Sequence, residues 1–294
     1  MTRVAFVALY VIIITGSLVR LTGSGLGCAD WPRCSESKFI DVSSGHAAIE
    51  QLNRLFTGVV AVAVIACVLM SLKLTPRRRD LIVMSIVLVG GVMAQVLIGA
   101  IVVWTGLNPY SNILHFIVSI FLMSVVYMLV QHAKIFRISD DVVSRGEPVL
   151  KDRRIAKFVK MLVATTGAAV FTGTLVTGSG PHAGDENAVR IGFAMTTIVR
   201  THSGFVWLTV AVTLVLGLLT NKKDVARTLL TKSLKRFSVI LVFQGALGYL
   251  QYFLGVPSWL VAVHVATSVA VWLSVLDIYW NSRLSVLPNS VLDL

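Results

Sequence analysis

The sequence predicts an all-α integral membrane protein, with eight transmembrane helices arranged as two repeat-related four-helix bundles and both termini cytoplasmic. Three observations predict it. First, the 294 residues are 56% hydrophobic and only 14% charged, with a mean hydropathy of +0.83, a composition that belongs in a bilayer. Second, apolar runs long enough to cross the hydrocarbon region recur at about 4–21, 48–72, 81–104, 112–132, 158–177, 195–219, 237–254 and 259–280. Third, the second half of the chain repeats the first.

A net charge of +12 would suggest nucleic acid as the partner of a soluble protein. Here the basic residues lie between apolar runs, so no nucleic-acid partner is expected and the lipid bilayer accounts for them. Lys73 and Arg77 to Arg79 follow the second segment. Lys134, Arg137, Arg145, Lys151, Arg153, Arg154 and Lys157 follow the fourth, and Lys222, Lys223, Arg227, Lys232, Lys235 and Arg236 follow the sixth. With Arg3, Lys160 and Arg283, most of the 26 basic residues fall on one side, which the positive-inside rule makes cytoplasmic.

Segment one follows Arg3 in the manner of a signal peptide, yet no small-x-small cleavage site comes at the right distance and no Arg/Ser-rich transit peptide precedes it. A bacterial plasma membrane is the expected location, with a processed organellar protein as the alternative. The outer loop that follows carries Cys28 and Cys34. Outside the cytoplasm such a pair can oxidise to a local disulfide, and no further Cys or His stands beside it at metal-ligand spacing. Segment two opens on Ile49-Glu50-Gln51-Leu52-Asn53-Arg54, which puts a carboxylate, an amide and a guanidinium on one helix face. Ionisable groups at a membrane helix entrance face a cavity, a partner or a ligand, or else snorkel to the interface. Cys67, deeper in the same segment, reads as a small apolar residue.

A shift of 149 residues carries Asn53 onto His202, Gln95 onto Gln244, Gly99 onto Gly248, Gly106 onto Gly255, His115 onto His264 and Ser119 onto Ser268. Near the N-terminus, Thr15-Gly16-Ser17-Leu18-Val19 resembles Thr172-Gly173-Thr174-Leu175-Val176, and each is followed by Thr-Gly-Ser-Gly. Segments three and four thus match seven and eight, while one and two match five and six. Four helices per half in the same sense make a parallel repeat. The expected division is an N-terminal bundle over 1–133, a cytoplasmic linker over 134–157 and a C-terminal bundle over 158–294.

Segments two, four, six and eight all run inward, and Asn53, His115, His202 and His264 each lie within the first turns of theirs. A rise of about 1.5 Å per residue sets them at similar depth, so His202 and His264 can meet across the second bundle as a bis-His heme site. A lone intramembrane histidine is more often a satisfied core residue, but the repeat-related pair favours the site; zinc would need further ligands. The first bundle keeps His115 and offers Asn53, a poor ligand for heme iron, so its pocket should be one-sided. Arg20, Arg54 and Arg200 stand near the level where heme propionates emerge, with interfacial snorkelling as the alternative reading. His132 and His182 read as solvated surface.

These residues resemble the heme A synthase family. The motif from Gly16 through Arg20 to Cys28-x-Asp30-Trp31-Pro32-x-Cys34 carries the resemblance. Glu50-x-x-Asn53-Arg54 and His115, His202 and His264 complete it across all eight segments. The resemblance implies an enzyme that converts the C8 methyl of heme O to the formyl of heme A for cytochrome oxidase. It implies a cofactor heme b on His202 and His264, and a substrate heme O in the first bundle. There His115, Asn53, Arg54 and Arg20 would line the site, with Glu50 as the essential acid. Arg200 would contact a propionate, and Cys28 with Cys34 would be the outer-loop pair. A heme-farnesylating enzyme and oxidase assembly factors become candidate partners. Two departures stand out: many members have histidine where this chain has Asn53, and the stretch from Gly178 to Arg190 lacks the second cysteine pair of some members. A bis-His electron carrier and a heme transporter or chaperone are the competing readings; the Asn53/His202 asymmetry weighs against the carrier.

Overall fold

A computed structural model describes residues 1–138, 153–220 and 225–283. Every regular element among them is helical: α1 (Thr2–Leu21), α2 (Gly45–Leu72), α3 (Arg79–Trp104), α4 (Pro109–Ile138), α5 (Arg153–Ser179), α6 (Met195–Thr220), α7 (Val225–Phe253) and α8 (Ser258–Asn281). Most of the expected linker, residues 139–152, lies outside the described residues.

Seven of the eight helices are long and apolar enough to cross a membrane. The other is α7, which differs in physical terms: Lys232, Lys235 and Arg236 occupy its first half, and Gln244 and Gln251 interrupt the apolar stretch after Phe237. Large apolar side chains point outward along the spans, with Leu218 78% exposed, as expected of a surface solvated by lipid tails. The chain is a multi-pass membrane protein.

The helices pack in two rings. α1 touches α2 and α4, and α3 bridges α2 and α4; α5 touches α6 and α8, and α7 bridges α6 and α8. Leu9, Val64, Leu88 and Met123 fill the first ring, while Ile155, Leu162, Leu216 and Phe237 fill the second. The rings meet along α1, α4, α5 and α8. Across that seam the Tyr10 hydroxyl donates to the Ala266 carbonyl at 2.9 Å, and the Trp272 indole N–H to Ser124 Oγ at 2.8 Å. Tyr127 donates to Asp277 at 3.0 Å, and Asp277 also accepts from Ser233 and Arg236, both at 2.7 Å. The Tyr10, Trp272 and Tyr127 bonds cross between the rings and help to fix their register, while Ser233 and Arg236 hold Asp277 from within the second ring.

The sequence repeat is a repeat of structure. α3 and α7 end in the same way: Gly106 and Leu107, like Gly255 and Val256, adopt left-handed backbone with φ of 60°, 61°, 74° and 61°. The Leu107 N–H returns to the Val102 carbonyl at 2.9 Å, and the Val256 N–H to the Gln251 carbonyl at 2.8 Å. This six-to-one bond closes a helix C-terminus and turns the chain straight into the next helix. That a leucine and a β-branched valine hold φ near +60° shows how firmly the surroundings dictate these corners.

Candidate functional site

α2 is started by Ser44, whose hydroxyl accepts from the Ala47 N–H at 3.2 Å. Two turns on, Glu50 is 5% exposed and both its oxygens are engaged. Oε2 accepts from the Cys28 N–H at 2.8 Å, and Oε1 from Arg54 Nε at 3.0 Å and Nη2 at 2.5 Å. Arg54 also donates to the carbonyls of Cys28, Asp30 and Arg33 at 3.0, 3.0 and 3.2 Å. Cys28 and Cys34 form the disulfide of this loop, and both are buried. Glu50 and Arg54 therefore clamp the disulfide loop onto the head of α2 through charge-assisted bonds.

One turn further, Asn53 turns away from that loop towards α1: its Oδ1 accepts from Thr15 Oγ1 at 2.8 Å, and its Nδ2 lies 4.0 Å from where a Cβ on Gly16 would stand. His115 on α4 lies against α3, its Cε1 3.7 Å from a Cβ built on Gly99. Its main-chain carbonyl accepts from Gln95 Nε2 at 3.0 Å.

The second ring repeats the pattern. The His264 carbonyl accepts from Gln244 Nε2 at 3.0 Å, and its Cε1 lies 3.2 Å from a Cβ on Gly248. His202 lies against α5, its Cε1 3.2 Å from a Cβ on Gly173, and its Nδ1 donates to the Ala169 carbonyl at 2.9 Å, with Thr172 Oγ1 at 3.3 Å. An Nδ1–H fixed to a carbonyl leaves Nε2 with its lone pair free, the tautomer a metal-ligating imidazole needs. Three imidazoles and one amide thus each lie against a glycine of the neighbouring helix, and the glycine leaves room for a flat ring. His115 and His264 each bury an Nδ1 with no hydrogen-bond partner. A buried nitrogen without a partner among the described residues is costly, and the fold carries that cost at the same atom in both rings. The donor set of His202 and His264 fits a heme iron.

Among the remaining residues, Arg20 and two histidines have partners that residue spacing does not reveal. Arg20 uses Nε and Nη2 on the carbonyls of His182 and Thr177, at 2.6 and 2.9 Å. Arg200 is exposed at the start of α6. His132 and His182 are not solvated surface: His132 Nδ1 lies 2.9 Å from Asp80, which also pairs with Arg78, and His182 Nε2 donates to the Val256 carbonyl at 2.8 Å. The glycines behind the rings were visible in the repeat, but their role appears only once the helices are packed.

The sequence matches the cytochrome oxidase assembly protein family over residues 1–276. The chain belongs to the heme A synthase family. It is 28% identical over 273 residues to a heme A synthase of Listeria monocytogenes, a match covering 88% of this chain and 86% of the relative. A heme A synthase of Bacillus pumilus is 32% identical over 171 residues, covering 56% of this chain and 54% of the relative. One of Lysinibacillus sphaericus is 31% identical over 126 residues, covering 42% and 41%. The match spanning residues 1–276 takes in both rings and all four glycine-backed positions.

Proposed function

We propose that this enzyme makes heme A for cytochrome oxidase by two successive hydroxylations of the C8 methyl of heme O, each a two-electron oxidation that inserts one oxygen atom from an external oxidant of the dioxygen class, with the resulting gem-diol losing water to leave the formyl group. One observation carries the reading: four equivalent glycine-backed positions, of which three hold imidazoles and one, in the first ring, holds Asn53. In the second ring, α5 to α8, His202 and His264 would hold heme b. The first, residues 1–133, takes heme O with its iron at His115. Heme b supplies one-electron redox chemistry when bound.

The chain's own residues do the rest. Asn53 offers no imidazole on its side, which leaves room at the reacting face of the substrate. Glu50 handles protons or orients the substrate from one turn above, and with Arg54 it holds the disulfide loop onto the head of α2. Arg200, exposed at the mouth of the second ring, is placed for a propionate. Both termini are cytoplasmic by the distribution of lysine and arginine, so both pockets open towards the outer face of a bacterial plasma membrane. Heme O comes from a heme-farnesylating enzyme, which makes that enzyme and oxidase assembly factors the partners to look for.

Pyridine hemochrome analysis of the purified protein supplied with heme O tests the reaction. Heme A or a hydroxylated heme O should accumulate. A protein that binds both hemes and returns heme O unchanged is a carrier or chaperone. His264→Ala is expected to lose the low-spin heme b spectrum, and an unchanged spectrum would remove His264 as a ligand. A finer prediction concerns the backing glycines. A Cβ at 248 would sit 3.2 Å from the His264 ring and must push it by a few tenths of an ångström, whereas one at 99 makes an ordinary contact at 3.7 Å with His115. Gly248→Ala should therefore shift the heme b spectrum, while Gly99→Ala should leave heme O binding at His115 unchanged.

A further inference from the structure

Arg20 ends α1, in the first ring, yet its guanidinium bonds are made to the second. Nη2 donates to the Thr177 carbonyl and Nε to that of His182, residues 157 and 162 positions further along the chain. Thr177 lies in the last turn of α5, where carbonyls lack intrahelical partners and a cation is favoured. Its hydroxyl returns to the carbonyl of Gly173, the glycine against which His202 lies. From His182 the connection runs the other way: its Nε2 donates to the Val256 carbonyl, in the corner from which α8 starts towards His264. The Gly25 N–H bonds the Gly184 carbonyl at 3.0 Å, and Leu107 packs on Ala183 and Ala188, so the α5–α6 loop lies across the outer ends of both rings.

We infer that Arg20 is a positioning residue for the histidine pair of the opposite bundle: one guanidinium from the first ring fixes the end of α5 that backs His202 and, through His182, the corner that aims His264. The inference rests on the assignment of heme b to that pair. A planar, forked guanidinium can reach two carbonyls in fixed directions, which a lysine ammonium on a flexible stem cannot reproduce. Loss of Arg20 also takes the side-chain donor from the His182 carbonyl and leaves the Thr177 carbonyl with the Gly180 N–H at 3.3 Å.

Arg20→Ala, Arg20→Lys and His182→Ala are purified beside the wild-type chain. Heme b content, low-spin spectrum and midpoint potential are measured, with KM for heme O on any remaining activity. Arg20→Ala should lower heme b content or shift its potential, with Arg20→Lys intermediate and His182→Ala moving in the same direction, while KM for heme O holds. An unaltered heme b with a raised KM for heme O would instead assign Arg20 to the substrate and overturn the inference. Amide hydrogen exchange gives a heme-independent reading. In Arg20→Ala the amides at the end of α5 and the start of α8 should exchange roughly tenfold faster. Unchanged exchange at both places also overturns the proposal. Should His264→Ala keep its low-spin signal while exchange in Arg20→Ala accelerates, the heme b assignment fails and the coupling between rings stands.

Discussion

Glu50→Ala is expected to reduce formation of heme A and hydroxylated heme O by at least about 100-fold while leaving the low-spin heme b spectrum intact. The magnitude follows from what the carboxylate holds. It is the anionic centre of a buried set in which Arg54 and the Cys28 N–H are donors, and removing one partner of a buried ion pair costs on the order of 3 kcal/mol. Arg54 would keep its three loop carbonyls but lose its counter-ion, and the Cys28 N–H would lose its acceptor. About 3 kcal/mol taken from the closed loop corresponds to roughly a hundredfold change in its population. Two further substitutions separate the clamp from proton chemistry. Arg54→Ala frees the loop but keeps the carboxylate; Glu50→Gln keeps hydrogen-bonding capacity but not the charge. If the clamp dominates, Arg54→Ala is the more damaging and also exposes the Cys28–Cys34 loop to protease. If proton handling dominates, Glu50→Gln is inactive with its loop still protected. Wild-type turnover in Glu50→Ala would exclude both roles.

The helices, the repeat and the four ring positions were legible in the sequence because each is a pattern of side-chain type: apolar runs, basic loops, and histidine or glutamine recurring at one offset. The partners of the arginines were not. Arg54 and Arg20 donate mainly to backbone carbonyls, which every residue carries, and those of Arg20 lie far along the chain. His132 and His182 were misread for the same reason, since Asp80 and the Val256 carbonyl reach them only after the helices pack. The glycines behind the rings lie between these cases. Gly99 and Gly248 stand out in the repeat, but a glycine in a membrane helix is common enough that only the close approach of an imidazole edge shows what it is for.

Asn53→His should convert the first ring to a two-histidine pocket and add a second low-spin heme signal when heme is supplied. The expectation comes from the second ring, where every group that holds His202 has a counterpart around Asn53. Gly173 backs the His202 ring; Gly16 stands behind Asn53. Thr172 meets His202 Nδ1, and Thr15 meets the Asn53 amide. The Ala169 carbonyl takes the His202 Nδ1–H, and the Ile12 carbonyl, one turn before Thr15, already accepts from the Thr15 hydroxyl at 3.3 Å. An imidazole at 53 therefore finds a flat glycine surface, a hydroxyl and a carbonyl in place, and needs no new backbone conformation. A six-coordinate bis-His iron suits electron transfer, and an open position suits reaction at the bound group. The substitution should thus strengthen heme retention in the first ring. Electron paramagnetic resonance of the oxidised protein, run against Asn53→His with His115→Ala as control, decides the matter. A second low-spin species that vanishes in the control places both ligands. A spectrum identical to wild type would show that the first ring is not the structural counterpart of the second at the iron, and the substrate assignment would have to move.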